Sequence, residues 1–405
     1  MTSGRPVVAL IGAYDTKAEP LGHLFTELVG EGCAVHRIDF GTHSQSGGTE
    51  TSREDLSALV KATELGEDRA GHLEMIGEAV GRHLQQLHAD GELDAILLAG
   101  GSGAATVFAA AAPSLPFGVP KVLVSTVVAG DTRPYLQGLD ALLFYPVVDV
   151  EGTNTILRSV LSRAATATAA LAHRSHRPGG TESSHAGSIA TTMFGITTQC
   201  VAAARSILEQ RDHEVITFHA NGTGGAAMER LVRDGMCRAV LDVTTTELAD
   251  HVAGGALSAG ESRLTAAAEM GIPQVVVPGA MDTVNFGPPA SVPAAHRDRL
   301  LHAHNPHVTL MRTDAEECAE LGALLARRSG VSPDTTTVVV PRGGFSELDQ
   351  PGRAFWDPEA DDALVDALRG GLEDRVRLVE SPLHINDPGF AALLVDELSR
   401  LCGQS

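Results

Sequence analysis

Aromatic side chains make up only 4% of the 405 residues, with a single tryptophan among them, so the core is expected to rest on aliphatic burial. Basic residues are also few, 30 against 51 acidic ones. The resulting net charge of −21 opposes binding to a phosphate backbone, and no basic stretch interleaved with aromatics offsets it. Nucleic acid is therefore not an expected partner. A single nucleotide remains open, because a few backbone N–H groups and lysines suffice to hold one locally. Cys33, Cys200, Cys237, Cys318 and Cys402 are scattered, odd in number and form no C-x-x-C pair. That usage fits a reduced, cytoplasmic setting. Met1 to Pro6 is too short and polar for a signal sequence, and no apolar run approaches the roughly 20 residues of a membrane helix.

Several fingerprints are missing too. No G-x-G-x-x-G follows the first apolar run and no G-x-x-x-x-G-K-[ST] occurs, so neither a standard dinucleotide fold nor a P-loop is supported. Gly100-Gly-Ser-Gly103 lacks the glycine spacing of a nucleophile elbow, and Ser102 reads as a phosphate donor rather than a nucleophile. In His302-Ala-His-Asn-Pro-His307 two imidazoles share one face of a strand, which raises the question of a metal. No H-E-x-x-H or third ligand accompanies His302, His304 and His307, and His304 with Asn305 is read instead as a polar cleft pair.

What is present points to an α/β protein. Its length suggests two domains of roughly 200 residues each. The stretch Asp94-Ala-Ile-Leu-Leu-Ala-Gly-Gly-Ser-Gly-Ala-Ala-Thr106 runs from an apolar strand through glycines into a small-residue helix. Such a turn lets backbone N–H groups approach an anion at the positive end of the helix. Glu214 to Met228 repeats the idea with Gly222, Gly224 and Gly225, then a helix beginning at Ala226. The two are read as equivalent loops of two related domains.

Pro6 to Gly12 is a continuous apolar run, the pattern of a buried parallel strand, and Gly12-Ala-Tyr-Asp-Thr-Lys17 is its loop. Leu21, Leu24, Phe25 and Leu28 follow at helical spacing, and Ala34 to Asp39 is the next strand. Gly41 to Gly48 reads as a loop and possible lid, and residues 51–89 as mostly helical, with Leu73, Ile76, Val80, Leu84 and Leu87 on one face. Gly118 to Asp131 is a strand whose tip holds Ser125, Thr126 and Asp131. His173 to Ser188 is the clearest linker. Beyond it Ser188 to Gly195 parallels the first strand, Gly271 to Asp282 echoes Gly118 to Asp131, Cys237 to Glu247 is a strand, and Thr309 to Arg312 and Thr336 to Pro341 supply more. The expected architecture is two Rossmann-like domains, 1–178 and 188–405, with parallel sheets covered by helices on both faces.

In such folds ligands sit beyond the carboxyl ends of the strands. There Lys17 is placed to neutralise phosphate, Thr16 to donate to an oxygen and Asp15 to hold Mg²⁺ through water, with a solvated turn as the plainer reading. Asp39 serves a ribose hydroxyl or caps its strand. His219, Glu247, Asp282, His304 and His384 are the catalytic candidates of the second domain, with His219 foremost as general acid or base. Each of them alone also suits a hydrogen-bonded structural role. Gly222, Thr223, Gly224, Gly225, Thr245 and Asn285 are the expected substrate contacts.

The motifs Gly12-x-x-Asp-Thr-Lys17, Gly100-Gly-Ser-Gly103, Val124-Ser-Thr126, Phe218-His-Ala-x-Gly-Thr-Gly-Gly225, Leu241-Asp-Val-Thr-Thr-Thr-Glu247, Asp282-x-Val-Asn-Phe-Gly-Pro-Pro289 and Leu383-His-Ile-Asn-Asp-Pro388 occur in one order over nearly the whole chain. This set resembles the family that includes the ATP-binding inhibitory domain of a plant tobamovirus-resistance protein. The resemblance implies ATP with a divalent cation in the first domain and self-association as a homodimer or larger homo-oligomer. Carried over by position, it makes Asp15, Thr16, Lys17, Gly100, Gly101, Ser102, Gly103, Ser125 and Thr126 the ATP residues. The expected function is an ATP-using enzyme, ligase- or kinase-like, acting on a small metabolite held between the domains. Two alternatives are a nucleotide-independent hydrolase or lyase built on the second-domain residues, and an ATP-sensing interaction protein without turnover.

Overall fold

The computed structural model describes residues 4–41, 50–52, 55–56, 69–136, 138–176 and 187–403. The expected lid beyond Gly41, the start of the helical stretch and most of the linker lie outside those residues. The chain divides into two compact units, Met1–Glu182 and Ser183–Ser405.

The first unit is a five-stranded sheet of β1 (Val7–Gly12), β2 (Ala34–Asp39), β3 (Ala95–Gly100), β4 (Lys121–Ser125) and β5 (Ala141–Phe144), in the order β2-β1-β3-β4-β5. Every pairing is parallel. The central strands β1 and β3 are apolar because both their faces are covered, whereas the edge strand β2 carries His36, Arg37 and Asp39. Val8, Leu10 and Leu97 pack with Leu24, Leu28, Leu157 and Leu161 of helices Tyr14–Gly30 and Thr155–Ser175. Ala9, Ile11 and Leu98, one residue out of phase, pack with Ile76, Val80, Leu84 and Phe108 of helices Arg69–Ala89 and Ser102–Ala111.

The second unit holds a six-stranded parallel sheet of β6 (Ser188–Met193), β7 (Val215–His219), β8 (Cys237–Thr244), β9 (Gln274–Gly279), β13 (Thr336–Pro341) and β14 (Arg377–Ser381), in the order β14-β13-β9-β8-β6-β7. Helices Thr198–Gln210 and Pro388–Leu401 cover one face through Val201, Leu208, Phe390 and Leu394. Helices Thr223–Arg233, Ala315–Ser329 and Pro358–Gly371 cover the other. A small antiparallel sheet, β10 (Thr283–Phe286), β11 (Leu301–Asn305) and β12 (Val308–Arg312), is inserted after β9. Thr309 to Arg312 is thus a strand as expected, but one of this insertion: Pro306 and His307 alone join β11 to β12, and so short a link permits only a hairpin.

Taken in order within each unit, the first five strands of both sheets have the arrangement 2-1-3-4-5. The order reverses between β1 and β3, and between β6 and β8, which in doubly wound sheets is where ligands bind. This alignment corrects one expectation. Gly100–Gly103 leaves the inner strand β3, whereas Gly222–Gly225 leaves the edge strand β7. The counterpart of the first glycine loop is Thr244–Glu247, after β8, and the two glycine loops are not equivalent.

Candidate functional site

In the first unit the strand ends at the switch point leave a helix N-terminus open. Helix Ser102–Ala111 starts after Gly101 with no side chain capping it. Space beside Gly101 is open enough that a Cβ there would meet nothing within 4 Å, and Ser102 is exposed. A ten-residue helix with uncapped first N–H groups carries about half a positive charge at that end. Ser125, at the end of β4, is fully buried and its hydroxyl donates to the Gly101 carbonyl at 3.1 Å. It braces the glycine loop from behind rather than facing a ligand. Thr126 opens a short 3₁₀ turn and is half-buried.

The neighbouring loop after β1 brings the expected Asp15, Thr16 and Lys17 to the same end of the sheet. Thr16 is exposed, its hydroxyl 3.5 Å from the Ala13 carbonyl. Lys17 is half-buried, sits at a kink with φ −123° and ψ 25°, and forms no ion pair with the described residues. Asp39 is fully buried and acts as the strand-end cap: its Oδ1 accepts the N–H groups of Tyr14 at 3.0 Å and Gly41 at 2.8 Å. Its Oδ2 is buried with no hydrogen bond to the described residues. A Cβ on Gly41 would lie 2.6 Å from Asp15 Oδ1 and 3.0 Å from Asp39 Oδ1, so both carboxylates crowd one spot. A hydrated Mg²⁺, which asks for one or two carboxylates besides phosphate oxygens, suits that pair.

The second unit departs further from expectation. Glu247 is fully buried and its Oε1 accepts the N–H groups of Gly222 at 2.6 Å and Gly225 at 3.0 Å. The chain's own carboxylate therefore fills the anion site that the glycines make. Gly225 is glycine for that reason, since a Cβ there would lie 2.0 Å from Glu247 Oε2; one on Gly224 would lie 1.9 Å from the His219 carbonyl oxygen. The helix accordingly starts at Thr223, three residues before the expected Ala226. Thr223 bonds Asn221, and Gly224 donates to the same Asn221 side chain. None of the four is turned to a substrate.

Arg263, fully buried, explains Glu247. Its Nε donates to Glu247 at 2.6 Å, and its two terminal nitrogens engage Asp242 at 2.5 and 2.8 Å, with Glu229 at 3.2 Å. Thr192 donates to Asp242 at 2.6 Å, and Glu229 caps the turn Leu264 to Ala266 through three backbone N–H groups. Asp242 had a signal in the sequence, a carboxylate inside an apolar strand that must find a cation. Arg263, in a segment without periodicity, had none.

Thr245 is buried and donates to the Val277 carbonyl, and Asn285 donates to Thr246 and to Asp250 at 2.7 Å. Asn285 thus holds the insertion against helix Thr246–Ala253, whereas Thr245 ties the end of β8 to β9. Burial pushes the Asp250 carboxyl up to about 7. Asp282 is fully buried, its Oδ2 accepting from Ser346 at 2.7 Å and Thr283 at 3.1 Å. It shares one guanidinium, that of Arg312, with Asp349 and Asp361. Burial and mutual repulsion raise Asp349 to about 9, and burial raises Asp361 to about 6. His384 is held at both ring nitrogens, Nε2 to the Ser346 carbonyl at 2.8 Å and Nδ1 to the Asn386 N–H at 3.1 Å. His304 is exposed near the tip of the β11–β12 hairpin, and His302 lies edge-on to Phe355. Among the described residues no group of three histidines, cysteines or carboxylates is placed to hold a metal.

His219 differs from the rest. It ends β7, is exposed, stacks on Phe194 with ring centroids 5.4 Å apart, and neither ring nitrogen is hydrogen-bonded to the described residues. It borders a cavity of about 400 Å³.

No helix of the described residues is long and apolar enough to cross a membrane. The N-terminal domain of the uncharacterised protein family UPF0261 matches residues 6–177, and its C-terminal domain matches residues 187–402. A UPF0261 protein of Rhizobium meliloti is 39% identical over 394 residues, 96% of this chain and 97% of that one. The ToMV susceptible protein tm-1(GCR26) of Solanum lycopersicum is 39% identical over 346 residues, 83% of this chain but only 45% of the tomato protein. Among solved structures, UDP-GlcNAc 2-epimerase of Methanocaldococcus jannaschii aligns over 96% of this chain and 98% of its own, at 10% identity and a TM-score of 0.23, too low to bear on function. Both halves of the sequence thus match in order over nearly all of the chain, and the chain belongs to the UPF0261 family.

Proposed function

We propose that the chain is an ATP-dependent enzyme acting on a small metabolite. In this reading the first unit holds the nucleotide phosphates, and the second supplies His219 as the acid–base group. The observation that carries it is the uncapped, open N-terminus of helix Ser102–Ala111 at the β1/β3 switch point, with Lys17, which forms no ion pair among the described residues, on the adjoining loop. Lys17 would neutralise phosphate charge, the N–H groups of Ser102 and Gly103 would bond its oxygens, and Asp15 would face the cation. Oδ2 of Asp39, without a partner among the described residues, would accept from a hydroxyl. Bound ATP supplies a transferable phosphoryl group; the protein's part is to position and shield it. Self-association belongs to the same reading. Leu142 on edge strand β5 and Tyr145 and Val147 just beyond it are 42%, 46% and 58% exposed, an apolar surface that a second copy would cover.

Calorimetry with Mg²⁺ and ATP tests the nucleotide site. Losing one charge-assisted contact costs about 1.5–3 kcal/mol, so Lys17→Ala should weaken affinity by about 10- to 100-fold with an unchanged circular dichroism spectrum. Equal affinity in the variant refutes the phosphate role. ADP release that stays at background with every small carboxylic acid offered would favour a sensor without turnover.

A further inference from the structure

The cavity beside His219 lies between helix Thr198–Gln210 and the edge strand β7, and its lining is chemically divided. Met193, Val201 and Ala202 give it an apolar wall. Thr217, two residues before His219 and on the same face of β7, also lines it, and the Thr217 hydroxyl is buried without a hydrogen-bond partner among the described residues. A buried hydroxyl left unpaired costs free energy that a ligand atom would recover. At the rim stands Arg205, which donates to Glu209 only through Nε, at 2.6 Å, leaving the two terminal nitrogens of its guanidinium unused by the described residues. That free edge has the fork geometry that matches a carboxylate.

We infer that this cavity binds a small carboxylic acid with a compact apolar body, its carboxylate on the Nη edge of Arg205, its body on Met193 and Val201, and a polar substituent reaching Thr217. The inference rests on His219 being the group that meets substrate, and it names the substrate class. The volume of about 400 Å³ accommodates a molecule the size of a substituted benzoate. His219, stacked on Phe194, lines the cavity, and this sets the imidazole beside the bound acid.

The test is direct binding to the full chain without ATP, by ligand-observed NMR and calorimetry, with 4-hydroxybenzoate, its amide and benzoate as probes. The acid should bind and the amide should bind at least about 10-fold more weakly, because only the carboxylate pairs with guanidinium. Arg205→Gln, on an exposed helix face, should abolish that preference. Thr217→Val should remove the preference for 4-hydroxybenzoate over benzoate, and should raise the unfolding midpoint of the free protein by deleting an unpaired hydroxyl. No binding of the acids, or acid and amide binding alike, overturns the inference, as does an Arg205→Gln protein that keeps the preference. These readings are independent of Lys17→Ala: acid binding without ATP affinity would leave the cavity assigned and the nucleotide proposal refuted, while ATP binding without acid binding would do the reverse.

Discussion

Asp349 shows how a single side chain records its surroundings. It is fully enclosed, its Oδ2 accepts the Phe345 N–H at 2.8 Å, and it shares Arg312 with Asp282 and Asp361. One guanidinium cannot neutralise three carboxylates, so the least favourable ionisation is given up and Asp349 keeps its proton up to about 9. The unfolded chain would release that proton near the ordinary value of about 3.9. A group that binds its proton more tightly when folded contributes stability that is full below the unfolded value and is lost as pH rises through the folded one. Asp349→Asn removes that dependence. Urea midpoints of the natural protein should therefore fall, relative to the variant, between about pH 4 and pH 9; parallel pH profiles would show that Asp349 is already ionised. Arg263 presents the opposite balance, a buried cation flanked by Asp242, Glu247 and Glu229, with bonds on all three nitrogens of its guanidinium. Such a network stiffens the ends of β8 and spends on architecture the very carboxylate that its position recommended for chemistry.

At the scale of elements, helix Tyr14–Gly30 contains Pro20, which an uninterrupted helix tolerates badly. The break at Lys17 resolves the conflict. Beyond it the helix effectively restarts at Ala18, and Pro20 falls in a first turn, where its missing N–H would have had no partner. The same break turns Lys17 out of the helical path at the end of β1. Pro20→Ala should change stability by less than about 1 kcal/mol, not the gain of about 3 kcal/mol expected on curing a mid-helix proline. Denaturant unfolding measures this, and a gain near the larger figure would mean the break is not built into the fold. The inserted hairpin is a second case. His302 and His304 were legible as strand residues, and they do lie on β11, but an edge strand of a small sheet leaves His304 in solvent instead of aiming it at the other histidines.

For the whole molecule, the two units have separate cores. Leu24, Leu98, Phe108 and Leu161 serve one, while Leu241, Val276, Leu325 and Leu394 serve the other. Fragments 4–176 and 187–403 should each fold alone, with a cooperative urea transition and the helix content of its half of the chain. A fragment that stays unfolded would show its core to be incomplete. The sequence by itself determined the paired α/β plan: short, glycine-bounded apolar runs such as Val7–Gly12 and Gln274–Gly279 fit strands buried on both faces, and that pattern is local. It also placed Lys17, Gly101, His219 and Glu247 at strand ends, since position along the chain fixes which end of a parallel strand a residue occupies. Only the tertiary structure decided what those ends do. Gly101 faces open space and Gly225 faces Glu247, yet both read alike as glycines before a helix. The difference lies in strand order, and in an arginine from a distant segment, because the partner that buries a charge is chosen by packing rather than by neighbourhood in the chain.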